Sequence, residues 1–217
     1  MNILGIGLVC GQGRGLPSFR RALEGNGLPP ARVQHPHFIS PMPVYEVPAD
    51  SLQDKAVLAK FRRADRFSKL AIVAASDAVA DAGIAFPDKA RVGIILSTAF
   101  GPHVTTFRFL DDILQFGEAA VSPTAFSSSV HTAAASYLAS NLGVRGPVTT
   151  LADFHFPFHE ALFLADLWLR EGICDHVLAG YVEECGTVME YIFGNKLAVS
   201  ADGPLAPQAD WLVNPAP

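Results

Sequence analysis

The sequence predicts an α/β protein in which helices cover both faces of a mostly parallel β-sheet. Apolar strands alternate with helical segments along the 217 residues, which is the order that parallel sheets require. The segment RVGIILST (91–98) is apolar without alternation, as expected of a strand that is buried on both faces. In DRFSKLAIVAASDAVADAG (65–83), Asp65 can cap a helix, Gly83 can end it, and the apolar residues share one face. A chain of this length can bury one sizeable core, so we expect a single domain over residues 1–217.

The remaining elements follow from apolar runs and from the glycines and prolines that bound them. Strands are predicted at 2–9, 148–153 and 175–182. Helices are predicted at 16–25, 53–63, 104–116, 130–142 and 186–194, and a further helix begins at Pro157. Two proline-rich segments interrupt this order, an irregular excursion at 28–48 and an irregular tail at 200–217.

Composition argues against several classes of protein. Half of the residues are hydrophobic, 17% are charged and the mean hydropathy is +0.27. No apolar run is long enough for a membrane span, so the surplus apolar surface indicates either a protein interface or a large core. A net charge of −5 without a basic run argues against nucleic-acid binding. The N-terminus lacks the features of a signal peptide, and the three cysteines form no CxxC pair, so we expect reduced thiols in a cytoplasmic protein.

The glycine-rich start GIGLVCGQGRG (5–15) has some features of a dinucleotide-binding sequence. In that fingerprint the glycines lie in a strand-to-helix turn, and an acidic residue follows about twenty positions later. Here the first two glycines fall inside the predicted strand, and a proline-rich loop follows. These glycines are better explained by a crowded strand and its turn, so the sequence predicts no nucleotide cofactor.

A candidate site lies at the turn DFHFPFHE (153–160), between a predicted strand and a predicted helix. The side chains suited to metal binding are Asp153, His155, His159 and Glu160. Pro157 fits the first helical position, so the two histidines are not an i, i+4 pair on one helix. A histidine at this turn could also act as a general base, although no serine or cysteine nucleophile is adjacent in sequence. Packed or interface histidines are the remaining alternative.

The helix that follows this turn, FHEALFLADLWLREG (158–172), is apolar on almost every side. Helices that flank a single sheet normally keep one polar face toward water. This helix is therefore expected to lie in a middle layer, with protein on most of its surface.

In this order, the segments resemble the N-terminal half of the β-ketoacyl synthases of the thiolase superfamily. ILGIGLVCGQG (3–13) resembles the family's first strand and turn, residues 65–83 resemble its Asp-Arg-Phe-Ser helix, and RVGIILSTAFGP (91–102) resembles the strand that leads to its gating turn. SPTAFSSS (122–129) resembles its dimer-interface segment, and ASNLGVRGPVTTLAD (139–153) resembles the strand that carries its nucleophile. GICDHVLAGYVEE (172–184) resembles the strand after the nucleophile helix, and KLAVSADGPLAP (196–207) resembles the link to the second half. The resemblance covers about residues 1–207. It implies a thiolase-like half with a mixed, mostly parallel five-stranded sheet.

Two departures from the family pattern decide the expected function. Counted from Gly146-Pro147, the family's catalytic cysteine falls on His155, and an imidazole cannot form the acyl thioester of that chemistry. The family's two catalytic histidines come from a C-terminal half that this sequence does not include. We therefore expect no catalytic residue, no cofactor and no metal in this chain.

The resemblance implies a non-catalytic partner subunit. Relatives that have lost the cysteine are chain-length factors, which pair with an active synthase and shape its acyl tunnel. The implied partners are a full-length ketosynthase, in a heterodimer, and acyl carrier protein, in polyketide or fatty-acid-type elongation of the kind found in aryl polyene pathways. In the family, the nucleophile strands of two subunits pair across the dimer axis. The implied interface residues are Phe126, Val148, Thr149, Thr150, Leu151, Ala152 and Asp153.

The resemblance also implies a set of tunnel positions, namely Phe100, Ala125, Phe126 and His155. Phe100 takes the place of the bulky gate residue in the turn 97–102, where Ala99 and Pro102 replace glycine and should stiffen the backbone. Ala125 takes the place of an aromatic residue that reaches into the partner's pocket in some members. A small residue there leaves room for a longer acyl chain.

Two other functions remain open from the sequence. One is a stand-alone metal-dependent or general-base hydrolase or thioesterase that uses Asp153, His155, His159 and Glu160. The other is a decayed half-synthase that binds other proteins without shaping a tunnel.

Overall fold

The computed structural model describes residues 1–34, 41–86 and 88–196, so the predicted tail at 200–217 lies outside the described residues. The helices are α1 (Leu16–Arg21), α2 (Lys55–Leu58), α3 (Arg66–Ala82), α4 (His103–Phe116), α5 (Pro123–Ser128), α6 (Ala133–Leu142), α7 (Pro157–Arg170) and α8 (Thr187–Lys196). The strands are β1 (Val9–Cys10), β2 (Gly13–Arg14), β3 (Ala31–Val33), β4 (Met42–Val44), β5 (Val92–Thr98), β6 (Val148–Ala152) and β7 (His176–Tyr181). No helix in the described part of the chain is both long and apolar enough to cross a membrane.

The chain divides into two compact units. The first contains residues 1–9 and 49–184, and with them β5, β6, β7 and the turn 153–160. The second contains the described parts of 10–48 and 185–217, including α1 and α8. Within it the excursion 28–48, predicted to be irregular, holds an antiparallel pair in which Arg32 of β3 lies opposite Pro43 of β4. Proline is tolerated there because each strand of a two-stranded pair is an edge strand.

The first unit is built on a parallel sheet with the strand order β6-β5-β7. Every residue of β5 is buried, as its unbroken apolar sequence predicted. Ile94 of β5 lies opposite Val148 of β6 and Leu178 of β7. The α/β class and the parallel pairing are confirmed, whereas the expected count of five strands is reduced to three in the described part of this sheet.

The N-terminal segment explains part of this difference. Of the strand predicted at 2–9, only Val9 lies in a strand of the described chain, namely β1 (Val9–Cys10). The rest lies against α3, so closely that a Cβ atom on Gly7 would collide with the carbonyl oxygen of Ala74. The Ile6 N–H donates to the Asp81 carboxylate of α3 at 2.9 Å. This segment is therefore held by a helix and not by a strand ladder.

Helices cover both faces of the sheet, as predicted. On one face, Ala161 and Ala165 of α7 pack on Ile95 of β5. Neighbouring residues of a strand point to opposite faces, so Ile94 and Leu96 face the second helical layer. That layer is formed by α6, which contacts β5 and β6, and by α3, which contacts α6 and β7.

The predicted caps of α3 are confirmed. The Asp65 carboxylate accepts the Ser68 N–H at 2.9 Å, and Gly83 ends the helix at a φ of 62°. These two residues set the length of the helix because each satisfies backbone groups that the helix leaves unpaired.

Candidate functional site

The candidate site is a cavity at the carboxyl ends of the three parallel strands. Its volume is about 230 Å³, and its lining residues are Ala99, Phe154, His155, Phe156, Pro157, Phe158, His159 and Tyr181. Ala99 follows β5, the run 154–159 follows β6, and Tyr181 ends β7. Ligand sites of open parallel sheets are found at this end of the strands, since the loops there converge.

The turn between β6 and α7 is organised by Asp153. Its N–H donates to the Thr98 carbonyl at 3.2 Å, which extends the pairing of β6 with β5 by one residue. Its carboxylate accepts the N–H of Phe154 at 2.8 Å and that of Phe156 at 3.5 Å. Pro157 then begins α7, as predicted. These contacts shape the turn without help from the side chain at position 155.

His155 and Asp153 are the two predicted site residues that the structure brings together. The His155 Nδ1 atom lies 3.4 Å from a carboxylate oxygen of Asp153, and the histidine side chain is 74% exposed. Burial acts to raise the pKa of Asp153, but hydrogen bonds from His155 and from the backbone outweigh it and hold the pKa below its ordinary value. The carboxylate is therefore ionised at neutral pH and can orient the imidazole.

His159 and Glu160 do not join this pair in a ligand cluster. The His159 ring stands edge-on to Phe156, with ring centroids 5.6 Å apart, and Glu160 is exposed. Over residues 1–34, 41–86 and 88–196, no three histidine, cysteine or acidic side chains are grouped to hold a metal ion. The arrangement gives a candidate general base with a carboxylate beside it, at the rim of an apolar cavity.

Aromatic side chains dominate the walls of this cavity. Phe154, Phe156 and Phe158 are 62%, 63% and 40% exposed, which is unusual for side chains of this size. The Phe100 ring meets Phe154 edge-on, with centroids 5.2 Å apart and planes at 76°. Such a site fits an apolar chain better than a charged substrate.

The four expected tunnel positions fall into two places. His155 lines the cavity, and Phe100 borders it through its contact with Phe154. Ala125 and Phe126 lie on α5 and are not part of the lining. Phe126 is 56% exposed and packs on Phe109 of α4, with ring centroids 5.7 Å apart.

The expected interface strand occupies one edge of the sheet. The Ile94 N–H of β5 donates to the Pro147 carbonyl, and the Asp153 N–H donates to the Thr98 carbonyl. The backbone groups of the odd-numbered residues from 147 to 153 therefore point toward β5. The N–H and C=O groups of the even-numbered residues Val148, Thr150 and Ala152 therefore point away from the sheet. No strand in the described part of the chain pairs with this outer side of β6.

Glu183 is a residue of this site that the sequence reasoning missed. It follows β7 and accepts hydrogen bonds from the backbone of Ala99 and Phe100. The available signal was a pair of acidic residues, Glu183 and Glu184, directly after an apolar strand. Such residues are solvated unless a loop folds over them, and the sequence does not show that the turn after β5 does so.

Comparison with known proteins decides the family. The family model for the N-terminal domain of β-ketoacyl synthases matches residues 46–186, well over half of the chain. The chain belongs to this family. The match spans the parallel sheet and the whole cavity lining, so both are parts of a β-ketoacyl synthase N-terminal domain.

Curated and solved proteins resemble this β-ketoacyl synthase domain to different extents. A putative polyketide β-ketoacyl synthase from Streptomyces halstedii is 29% identical over 197 residues, which cover 82% of this chain and 44% of that protein. The solved ishigamide ketosynthase/chain length factor has a TM-score of 0.75 at 21% identity, covering 93% of this chain and 57% of its own. A ketosynthase in complex with its chain length factor from Xenorhabdus doucetiae has a TM-score of 0.51 at 17% identity. The match covers 87% of this chain and 71% of that chain. The chain thus spans about half the length of the first two.

Proposed function

We propose that this β-ketoacyl synthase domain is a non-catalytic subunit that acts as a chain-length factor. It pairs with a full-length ketosynthase and shapes that partner's acyl tunnel. The carrying observation is His155, which stands at the turn where the family's nucleophile is expected. None of the three cysteines lines the cavity. Without a thiolate at this turn the chain cannot form the acyl-enzyme of the family's chemistry.

The proposed interface consists of the outer edge of β6 together with Phe126. No strand among the described residues pairs with this edge, so its backbone groups can pair with a strand of another subunit, and an exposed aromatic side chain adds apolar area. On α7, predicted to be covered on most sides, Phe163 and Leu167 are 76% and 42% exposed. These surfaces support a subunit that is completed by another polypeptide.

The proposed substrate is an acyl chain carried by acyl carrier protein, reaching the cavity through the complex. Aromatic walls suit an apolar or conjugated chain, because burying such a chain against them removes apolar surface from water. On the family resemblance, we extend the proposal to the chains of aryl polyene pathways.

Co-expression with a full-length ketosynthase from the same genome tests the proposal. We expect a stable one-to-one complex by native mass spectrometry, and condensation activity that the ketosynthase alone does not give at the same chain length. A chain that remains monomeric beside the ketosynthase would contradict the proposal.

A second function is favoured by the Asp153–His155 contact, namely a general-base thioesterase that acts without a partner. Under that hypothesis, the purified chain hydrolyses acyl thioesters and His155→Ala abolishes the activity. Under the chain-length-factor proposal, the purified chain is inactive, and His155→Ala still forms the complex. Thioester hydrolysis by the wild type and by His155→Ala separates the two functions. The assay contains a chelator, which removes any contribution of a metal ion.

A further inference from the structure

The first part of the turn that follows β5 is bound by the carboxylate of Glu183. One oxygen of Glu183 accepts the Ala99 N–H at 2.7 Å and the Phe100 N–H at 3.2 Å. The other oxygen accepts from the Thr98 hydroxyl at 3.2 Å and lies 3.3 Å from the Phe100 nitrogen. The Tyr181 hydroxyl donates to the same carboxylate at 3.2 Å. All of these groups are donors, so the site requires an acceptor at both oxygens.

Glu184, the next residue, binds the other end of this turn. Its carboxylate accepts the N–H of Val104 in the first turn of α4. Its second oxygen is buried and has no hydrogen-bond partner among the residues that the structure describes. Neighbouring residues at a strand end point in opposite directions, so two adjacent side chains can reach the two ends of one turn.

The rest of the turn leaves the backbone little freedom. Gly101 has a φ of 63°, and a Cβ atom there would lie 2.6 Å from the His131 ring. The Gly101 N–H donates to the Thr98 hydroxyl at 2.9 Å. The turn is thus fixed on both sides of Phe100, whose side chain extends to Phe154 at the cavity rim.

We propose that Glu183 is a positioning residue that holds Phe100 at the rim of the acyl cavity and so limits the length of the chain the complex makes. The limit on chain length rests on the proposed chain-length-factor function. The hold on the Phe100 backbone does not, because all of its contacts lie within this chain.

The two glutamates provide a matched pair of variants. In Glu183→Gln, one carboxylate oxygen becomes an NH₂ group that faces donors, and the remaining amide oxygen is an uncharged, weaker acceptor. The contacts to Ala99 and Phe100 are therefore weakened or broken. In Glu184→Gln, the amide oxygen can still accept the Val104 N–H, and the NH₂ group replaces an oxygen that has no partner. The same chemical change therefore disrupts one end of the turn and spares the other.

Amide hydrogen exchange on the isolated chain tests the hold itself. In Glu183→Gln we expect the N–H groups of Ala99 and Phe100 to exchange roughly ten- to a hundredfold faster, with α3 and β5 unchanged. Glu184→Gln should leave both N–H groups protected. If Glu183→Gln unfolds, Glu183→Asp is the replacement, because it keeps both acceptor oxygens one methylene further away and should give a smaller acceleration. Unchanged exchange at Ala99 and Phe100 would overturn the proposal.

Product analysis of the complex then tests the limit on chain length. With complex formation equal to the wild type, Glu183→Gln should give a broader distribution that includes longer chains, and Glu184→Gln should give the wild-type distribution. Faster exchange with an unchanged distribution would overturn the role in chain length. If the wild-type chain forms no complex, the chain-length-factor function fails, and the exchange measurement still decides whether Glu183 holds Phe100.

Discussion

His155, the residue proposed to replace the family's nucleophile, lies in a turn that is held by contacts of its neighbours. Asp153 ties the turn to β5 and accepts two backbone N–H groups, and Pro157 begins α7. None of these contacts involves the imidazole. Under the proposed function, a histidine at residue 155 would therefore remove the family's covalent chemistry while the surrounding turn keeps its shape.

Ala125 carries the first prediction at the residue scale. It is half-buried on α5, beside the exposed Phe126. If this face enters the partner's tunnel, Ala125→Phe fills space that the acyl chain uses, and the complex should make a product shorter by at least one elongation cycle. Product length is measured by mass spectrometry of the reconstituted complex, with the exposed Ala85→Phe as the control. An unchanged product from a fully formed complex would remove Ala125 from the tunnel.

The second prediction at the residue scale concerns Glu184 and the dependence of stability on pH. Burial and then the nearby Asp65 carboxylate raise the pKa of Glu184 from 4.5 to about 7. The folded state thus binds this proton more tightly than the unfolded state, so its contribution to stability falls as the pH rises from about 5 to about 7. In the wild type, the free energy of unfolding should therefore fall by on the order of 1–3 kcal/mol over this pH range, and Glu184→Gln should remove this fall.

Urea unfolding at a series of pH values checks this expectation, with the exposed Glu118→Gln as the control. A wild-type profile that Glu184→Gln leaves unaltered between about pH 5 and pH 8 would show that Glu184 ionises without cost in the folded protein.

Strand β6 carries a prediction at the scale of the element. The Thr150 N–H points to the outer edge, so Thr150→Pro removes a donor that the sheet does not use and blocks pairing with a partner's strand. We expect the complex with the ketosynthase to be lost while the chain stays folded. Thr150→Val keeps the N–H and should keep the complex. Co-purification together with thermal unfolding of both variants checks this, and full binding by Thr150→Pro would exclude the β6 edge as the interface.

Elements with an unambiguous local signal were predictable from the sequence. The unbroken apolar run of β5 and the caps of α3 are examples, because burial and capping are written in neighbouring residues. The structure of the segment 2–9 was not predictable, because its apolar residues and glycines also fit a β-strand. Only its contact with α3 shows that a helix holds it. Glu183 was missed for a related reason, since its backbone partners Ala99 and Phe100 lie more than eighty residues away in sequence. Local patterns therefore identified the turn 153–160 of the candidate site, but they did not identify Glu183, which binds the adjacent turn after β5.

At the scale of the whole molecule, the turn after β6 and the helix α7 expose large aromatic side chains to solvent. Phe154, Phe156 and Phe163 are each more than 60% exposed. We expect the lone chain to bind a hydrophobic dye strongly, and we expect the ketosynthase to displace it. Phe163→Ser should lower dye binding and change the free energy of unfolding by less than about 0.5 kcal/mol.

The matched comparison is Leu138→Ala, because Leu138 is 1% exposed. It should cost about 2–5 kcal/mol in unfolding free energy without reducing dye binding by the folded chain. Equal dye fluorescence from the wild type and Phe163→Ser would show that the dye binds elsewhere.

The exposure of His155 also makes that position useful as a reporter. A sulfhydryl installed by His155→Cys would lie at the amino end of the 14-residue helix α7, where the helix dipole favours the thiolate. With Cys10 and Cys185 changed to serine, it would be the one thiol open to reagents, since Cys174 is buried. Its alkylation rate would then follow, second by second, how far a bound partner closes the cavity to solvent.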